Sequence, residues 1–289
     1  MRVTEKIISN GLSRNINKTM RRMDKNYNDI ASGKRIHRPS DDPVGLVTSL
    51  RLNDSIREAN RYKANSENAI SWLEASDAAL GEMTKVMHRF EELAVSAANG
   101  ALTDSSRRAI AEEVDELKNH ILQIANTQHE HRFLFSGQQS NEKAYDDNFL
   151  YQGDNLHLNI EVGDKSKLDI SFNGPEVFGD FFKQLDDFMT HINSNDVYQI
   201  SNSDLQNITD QLDNILDVRA SIGAKVNRLE KNVERLDLMD IQFNQLLSEN
   251  EDTDIAAATM EMKMQESVYQ AALAVGARIM QTTLLNYLK

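Results

Sequence analysis

From Leu205 to Leu247 the chain holds thirteen successive positions spaced alternately by three and four: Leu205, Ile208, Leu212, Ile215, Arg219, Ile222, Val226, Leu229, Val233, Leu236, Asp240, Phe243 and Leu247. Eleven of them are apolar, so this segment is a helix that lays one narrow stripe against other helices along its whole length. Read over 203–247 and at roughly 1.5 Å per residue, it is about 68 Å long. Arg219 and Asp240 are the polar members of the stripe, and polar seam residues can set register. Gly223 weakens such a helix by about 1 kcal/mol and predicts a close helix neighbour.

The two ends carry the same kind of pattern. Ile8, Leu12, Ile16, Met20, Met23, Tyr27 and Ile30 line one side of a first helix, and Met264, Val268, Ala271, Val275, Ile279, Thr282, Leu285 and Leu288 line the last. Chain ends usually fray, so ends built to pack predict a subunit of a larger assembly. The stripes are expected to pack on one another and on neighbouring copies. Gly276 predicts a second close approach. The methionines at 20, 23, 260, 262, 264 and 280 suit either core filling or an adaptable surface.

Between the ends the pattern is nested. The first helix stops near Gly33, and a loop from Lys34 to Asp42 follows. Asp42 is a good N-cap and Pro43 suits the first helical position. The helix so started reaches about Ala98, with Leu73, Ser76, Leu80, Met83, Met87, Phe90, Ala94 and Ala97 in step. Asn99-Gly100 breaks it, and Thr103 or Asp104 caps the next, which runs to just before Phe133. Period-two alternation over Leu156–Val162 and Leu168–Phe172, around Gly163-Asp164-Lys165-Ser166, predicts a β-hairpin. A short helix bearing Phe178, Phe182, Leu185, Met189 and Ile192 follows. Ser248 to Asp254 reads as an acidic loop, with Asp252 or Thr253 capping the last helix.

The expected fold is mainly α: a nested helical bundle with terminal coiled-coil helices and a small β-containing insert domain. The expected segments are an axial helix and loop at 1–42, bundle halves at 43–133 and 203–250, the insert at 134–202 and a second axial helix at 251–289.

Composition removes several classes of function. There is no cysteine, so disulfides, thiolate metal sites and cysteine nucleophiles are excluded. No apolar run is long enough for a membrane span, and charges at Arg2, Glu5, Lys6, Arg14 and Lys18 interrupt any secretory leader. Net charge is −13, which argues against nucleic acid as the main partner. The basic residues of positions 1–38 read as the solvated face of the first helix. Asp41 and Asp42 read as a cap with a local ion pair to Arg35 or Arg38. His120, His129 and His131, placed at one helix end, read as solvated side chains rather than a metal site. No phosphate loop or nucleophile elbow is present. The expectation is therefore no enzyme, no metal and no cofactor.

Ala31-Ser32-Gly33-Lys34-Arg35-Ile36, followed by Ser40-Asp41-Asp42-Pro43, resembles the first loop of the flagellin superfamily. Asp-Asp-Pro in place of Asp-Asp-Ala is similar to its hook-associated protein 3 branch. So are Ser71-Trp72-Leu73-Glu74, Phe133-Leu134-Phe135-Ser136-Gly137, Tyr151-Gln152-Gly153-Asp154, Arg219-Ala220-Ser221-Ile222-Gly223-Ala224, Asn227-Arg228-Leu229-Glu230 and Leu284-Leu285-Asn286-Tyr287-Leu288. The ordered set spans nearly the whole chain; His37 and His131 depart from the pattern. The resemblance implies a flagellin-like fold and a secreted subunit of the bacterial flagellum, exported by the type III route without a cleaved signal. Its place would be a self-associating ring at the hook–filament junction. The implied partners are hook-associated protein 1, flagellin, further copies of itself and a cytosolic export chaperone at the C-terminal helix, with no nucleic acid and no membrane. The terminal stripes would be the assembly surface, with Gly33, Arg35, Asp41, Asp42 and Pro43 as the loop motif. A filament flagellin and a standalone coiled-coil binding module are the rival expectations.

Overall fold

The computed structural model describes residues 2–99 and 102–287, with side-chain surroundings for 7, 9–99 and 102–278. It is mainly α, with long terminal helices and a small strand-bearing insert, as the periodicities predict. Its first half holds α1 (Arg2–Ser32), α2 (Pro43–Ala97) and α3 (Asp104–Ala125). Two small hairpins follow: β1 (Gln128–His129) with β2 (Arg132–Phe133), and β3 (Asn159–Gly163) with β4 (Ser166–Asp169). Then come α4 (Gly174–Phe178), α5 (Phe181–Ser194), α6 (Val197–Gln199), a π-helical turn (Ile200–Asp204), α7 (Leu205–Glu251) and α8 (Ile255–Tyr287). The chain divides into two units: Met1–Arg57 with Asp240–Lys289, and Glu58–Met239.

The larger unit owns the core. All eight α2 positions of the predicted stripe, from Leu73 to Ala97, are buried. On α7, Ile208, Ile215, Ile222, Leu229 and Leu236 are buried at strict seven-residue intervals. Aromatic rings fill the space between the helices and the insert. Phe90 meets Phe181 edge to face at 6.2 Å, and Phe135 meets Phe178 at 5.4 Å. In β3–β4 the register pairs Ile160 with Leu168 and Glu161 with Lys167. Val162, Leu168, Ile170 and Phe172 point inward, while Leu156, expected on that face, is exposed.

Two boundaries and one glycine differ from the sequence expectation in this unit. First, α3 ends at Ala125 rather than near Phe133. The Asn126 side chain accepts from the Tyr145 N–H and donates to the Tyr145 carbonyl, both at 3.0 Å, which turns the chain out of the helix. His129 and His131 therefore sit on a tight hairpin, not on the helix of His120; Glu130 and His131 form its turn with φ of 49° and 64°. Second, the single helix expected over 178–192 is two helices, separated at Gly179 with φ of 49°. Third, Gly223 has open space around it, so it marks no close helix neighbour. Arg219 does bridge the seam, with Nε and Nη2 at 2.8 and 3.3 Å from the two carboxylate oxygens of Asp77 on α2. No helix among the described residues is long and apolar enough to cross a membrane.

In the smaller unit α1 stops at Gly33, whose φ of 72° suits only glycine without strain. Thr103, in the larger unit, caps α3 as expected, accepting from the Ser106 N–H at 3.2 Å. The acidic loop expected over Ser248–Asp254 shrinks to three residues, because α7 continues to Glu251. Glu251 is buried and its helix turn is anchored: Arg35 N–H donates to the Glu251 carbonyl at 2.6 Å, and Lys34 pairs with its carboxylate. The cap of α8 is Asp254, not Asp252 or Thr253; its carboxylate accepts from the Ala257 N–H at 3.0 Å.

Candidate assembly surface

The loop motif forms from short-range chemistry. Asp42 accepts from the Gly45 N–H at 2.9 Å, with Pro43 at the first helical position, where a missing N–H costs nothing. Its carboxylate also lies 3.5 Å from the Arg35 guanidinium. The Gly45 N–H, helped by the Arg35 charge, holds the Asp42 carboxyl below its ordinary value. Asp41 accepts from the backbone N–H groups of Arg38 and His37 at 2.9 and 3.2 Å. Those two donors, Arg38 foremost, hold its carboxyl low as well. Both aspartates thus order the loop that leads from α1 to α2.

That loop is clasped to the α7–α8 corner. Thr253 N–H donates to the Gly33 carbonyl at 2.8 Å, and Lys34 bridges to Asp252. Arg35 Nη2 reaches the Asn250 carbonyl at 2.9 Å, while Asn250 Nδ2 donates to the Gly45 carbonyl and to Ser49 Oγ, both at 2.8 Å. Ile36 sits beneath, 7% exposed, the one large apolar side chain of this unit buried among the described residues. The sequence singled out Gly33, Arg35 and the aspartates; the contributions of Asn250 and Glu251 carried no signal there.

The terminal helices pack on each other as expected, α1 against α8. On α1 the packed face is largely the predicted stripe, but on α8 it is not the row that the large apolar residues mark. On α1, Leu12, Ile16, Met23 and Ile30 are half-buried, but polar Asn26 is buried among them and Met20 and Tyr27 are 49% and 61% exposed. On α8 the inward row is Met262, Gln265, Tyr269, Ala272 and Gly276. A Cβ at Gly276 would lie 2.7 Å from Leu12 Cδ2, so this glycine does mark a close approach. Asn26 Nδ2 and Gln265 Oε1 are buried without a hydrogen-bond partner among the described residues.

Met264, Val268 and Val275 point outward, 61%, 52% and 52% exposed, and Met260 and Leu273 join them. Val44, Val47 and Leu50 on the first turns of α2 are exposed too, as are Ile241 and Leu246 on α7. Each leaves apolar area in water that a partner would remove, at about 25 cal/mol per Å². The side chains of Ile8, Ile279 and Leu285, and all of Leu288, lie outside the described residues.

Two family models match the chain. The bacterial flagellin N-terminal helical region matches residues 3–140, and the bacterial flagellin C-terminal helical region matches residues 205–288. The flagellar filament 31.3 kDa core protein of Treponema maltophilum is 29% identical over 265 residues, covering 90% of this chain and 89% of that protein. The flagellin of Halalkalibacterium halodurans is 28% identical, covering 92% and 90%. Among solved structures, a flagellar hook-associated protein from Vibrio parahaemolyticus superposes with a TM-score of 0.68 at 21% identity, covering 73% of this chain and all of that one.

Proposed function

We propose, from the premise that this chain belongs to the flagellin family and is a structural subunit of the bacterial flagellum, that it forms the adaptor ring between hook and filament. One face of the ring would meet hook-associated protein 1 and the other flagellin, with lateral contacts between copies. The residues that would make those contacts are Leu12, Ile16, Met20, Met23, Tyr27 and Ile30 on α1, and Met264, Val268 and Val275 on α8. Ile8, Ile279, Leu285 and Leu288 would extend the same stripes. Gly33, Arg35, Asp41, Asp42 and Pro43 would be the loop motif that orders the connection from α1 to α2. In this scheme 1–42 and 251–289 are the axial segments, 43–133 and 203–250 the bundle halves, and 134–202 the insert. Export would follow the type III route, with a chaperone covering the C-terminal helix until secretion.

The observation that carries the adaptor over other family members is the Asp41-Asp42-Pro43 start of α2, in which Asp42 caps and Pro43 opens the helix. The exposed apolar rows on α1 and α8 support the assembly itself. A filament flagellin is the second reading, favoured by the names that the Treponema and Halalkalibacterium relatives carry.

Deleting the gene separates the two. The adaptor reading predicts bare hooks on the cells and abundant unpolymerised flagellin in the medium. Normal filaments would overturn it. Loss of all flagellin, in cells and medium alike, would make this chain the filament subunit.

A further inference from the structure

In the larger unit α7 carries opposite charges on its two flanks. Leu229 and Leu236 face inward, 1% and 4% exposed. Successive residues turn by about 100° around a helix. Arg228, Lys231 and Arg235 therefore fall on one side of that inward line, and Glu230, Glu234 and Asp237 on the other. The acidic flank borders a groove of about 520 Å³ between α2 and α7. Ile70, Val233 and Leu238 supply its apolar surface, with Leu238 64% exposed. Glu67 on α2 adds a fourth carboxylate to the rim. Inside the unit Lys63 reaches Asp237 at 2.5 Å and Glu67 at 3.9 Å, and Lys231 reaches Glu234 at 2.8 Å. Four carboxylates thus share two lysines, and pairs this exposed contribute little to stability.

The basic flank borders a second cleft, of about 330 Å³, between α7 and the β3–β4 hairpin. Asn232 Nδ2 donates to the Val162 carbonyl at 2.9 Å, which holds the hairpin to α7. Arg228 and Arg235 are exposed on this side. Arg235 Nη2 donates to Asn232 Oδ1 at 2.8 Å, and no carboxylate among the described residues pairs with either arginine. The two flanks are complementary in more than sign. An arginine can lay its methylene stem on an apolar surface while its guanidinium forks onto carboxylates. The acidic groove offers both. The patches also lie at nearly one height, 228–235 against 230–238, an offset of about 5 Å or less along the helix. Copies standing side by side with parallel α7 axes bring one patch to the other without an axial slide.

We infer, resting on the ring reading above, that the acidic α2–α7 groove receives the Arg228 and Arg235 flank of a second copy of this chain. Neither patch can face its own like, because like charges would meet. A two-fold dimer through either one is thereby disfavoured. Unlike patches must meet instead, and such a heterologous contact repeats from copy to copy in one direction, as a ring requires. The contact also offsets locally the repulsion between bodies of a chain whose net charge is −13.

A charge swap tests it in cells that lack the native gene. One full-length variant carries Arg228→Glu with Arg235→Glu, and the other carries Glu230→Lys with Glu234→Lys. Each alone sets like charges against each other at every copy-to-copy contact. Each should raise unpolymerised flagellin in the medium by about tenfold or more over the wild type. Expressed together, each variant presents the charge that the other lacks on both flanks, and attached filaments should return. All four positions are on the surface, so both purified variants should keep the wild-type thermal midpoint. Should a double variant misfold, the milder pair Arg235→Glu and Glu234→Lys repeats the swap. Attached filaments with either variant alone overturn the inference. So does a loss that co-expression does not restore, which would assign the patches to a different partner. Failure of the adaptor reading shows separately, as loss of all flagellin on gene deletion. The same swap is then scored on growth of the filament itself.

Discussion

The two units of this chain are built from the same kind of long helix and differ in what those helices bury. In Glu58–Met239 the stripes of α2, α3 and α7 face inward onto aromatic rings, and Phe90, Phe135, Phe178, Phe181 and Phe188 are all under 2% exposed. In Met1–Arg57 with Asp240–Lys289, only Ile36 is a buried large apolar side chain among the described residues. That unit instead buries Asn26, Asp29, Ser49, Glu251 and Gln265, and shows Met264, Val268, Val275, Val44 and Leu50 to water. Hydrophobic burial is the main favourable term in folding. The larger unit therefore holds an apolar core of its own, whereas the smaller leaves most of its large apolar side chains partly or fully in water.

The difference can be broken most forcefully at the core. Phe90→Ala or Phe178→Ala should destabilise the larger unit by about 3–5 kcal/mol, seen as a large drop in its thermal midpoint. Val268→Asp should leave that midpoint unchanged and abolish assembly, scored by sedimentation or electron microscopy. A lowered midpoint with normal assembly would reverse the roles of the two units.

The glycines give the next contrast. Gly276→Val forces a branched side chain against Leu12 and should cost about 1–3 kcal/mol in the α1–α8 pair alone. Gly223→Ala, with open space around it, should stabilise α7 by up to about 1 kcal/mol. Hydrogen exchange resolved by segment checks both signs. Asn250→Ala removes two donated hydrogen bonds and should cost the loop clasp about 1–2 kcal/mol. Faster proteolysis near residues 33–42 would register it.

The smallest effect is electrostatic. Asp41 and Asp42 have depressed folded-state values, so their contribution to loop order is complete above the ordinary aspartate value of ~3.9. It is lost as pH falls through the lower folded-state values. The Gly45 and Arg38 amide signals, followed through acid titration, should move together in that window. Movement well above it would contradict the cap assignment.

Much of the fold was legible because periodicity is a direct imprint of packing. The α2 stripe from Leu73 to Ala97 is buried at every position, the α7 stripe at every second position from Ile208 to Leu236, and the hairpin lies where alternation placed it. Misplaced ends have local causes: the Asn126–Tyr145 bonds stop α3 early, and Glu251 with Asn250 extends α7. The candidate site was only half legible. A row of large apolar residues says that α8 has a face to bury, not which neighbour buries it. Small residues at Ala272 and Gly276 let α8 approach Leu12 closely, so the bulky row turns outward. Lys118 escaped notice for a similar reason: it is buried by an ion pair with Asp186 and by the Phe149 ring 3.9 Å from its Nζ, partners distant in sequence.

Hydrogen exchange on dilute monomer and on the assembled form tests most directly whether the smaller unit depends on partners. Most helical stability in proteins comes from packing of an apolar face rather than from propensity, so α1 and α8 should exchange quickly in the monomer and become strongly protected on assembly. The core of Glu58–Met239 should be equally protected in both. Full protection of α1 and α8 in the dilute monomer would show that their mutual packing suffices, and would contradict the division of labour between the two units.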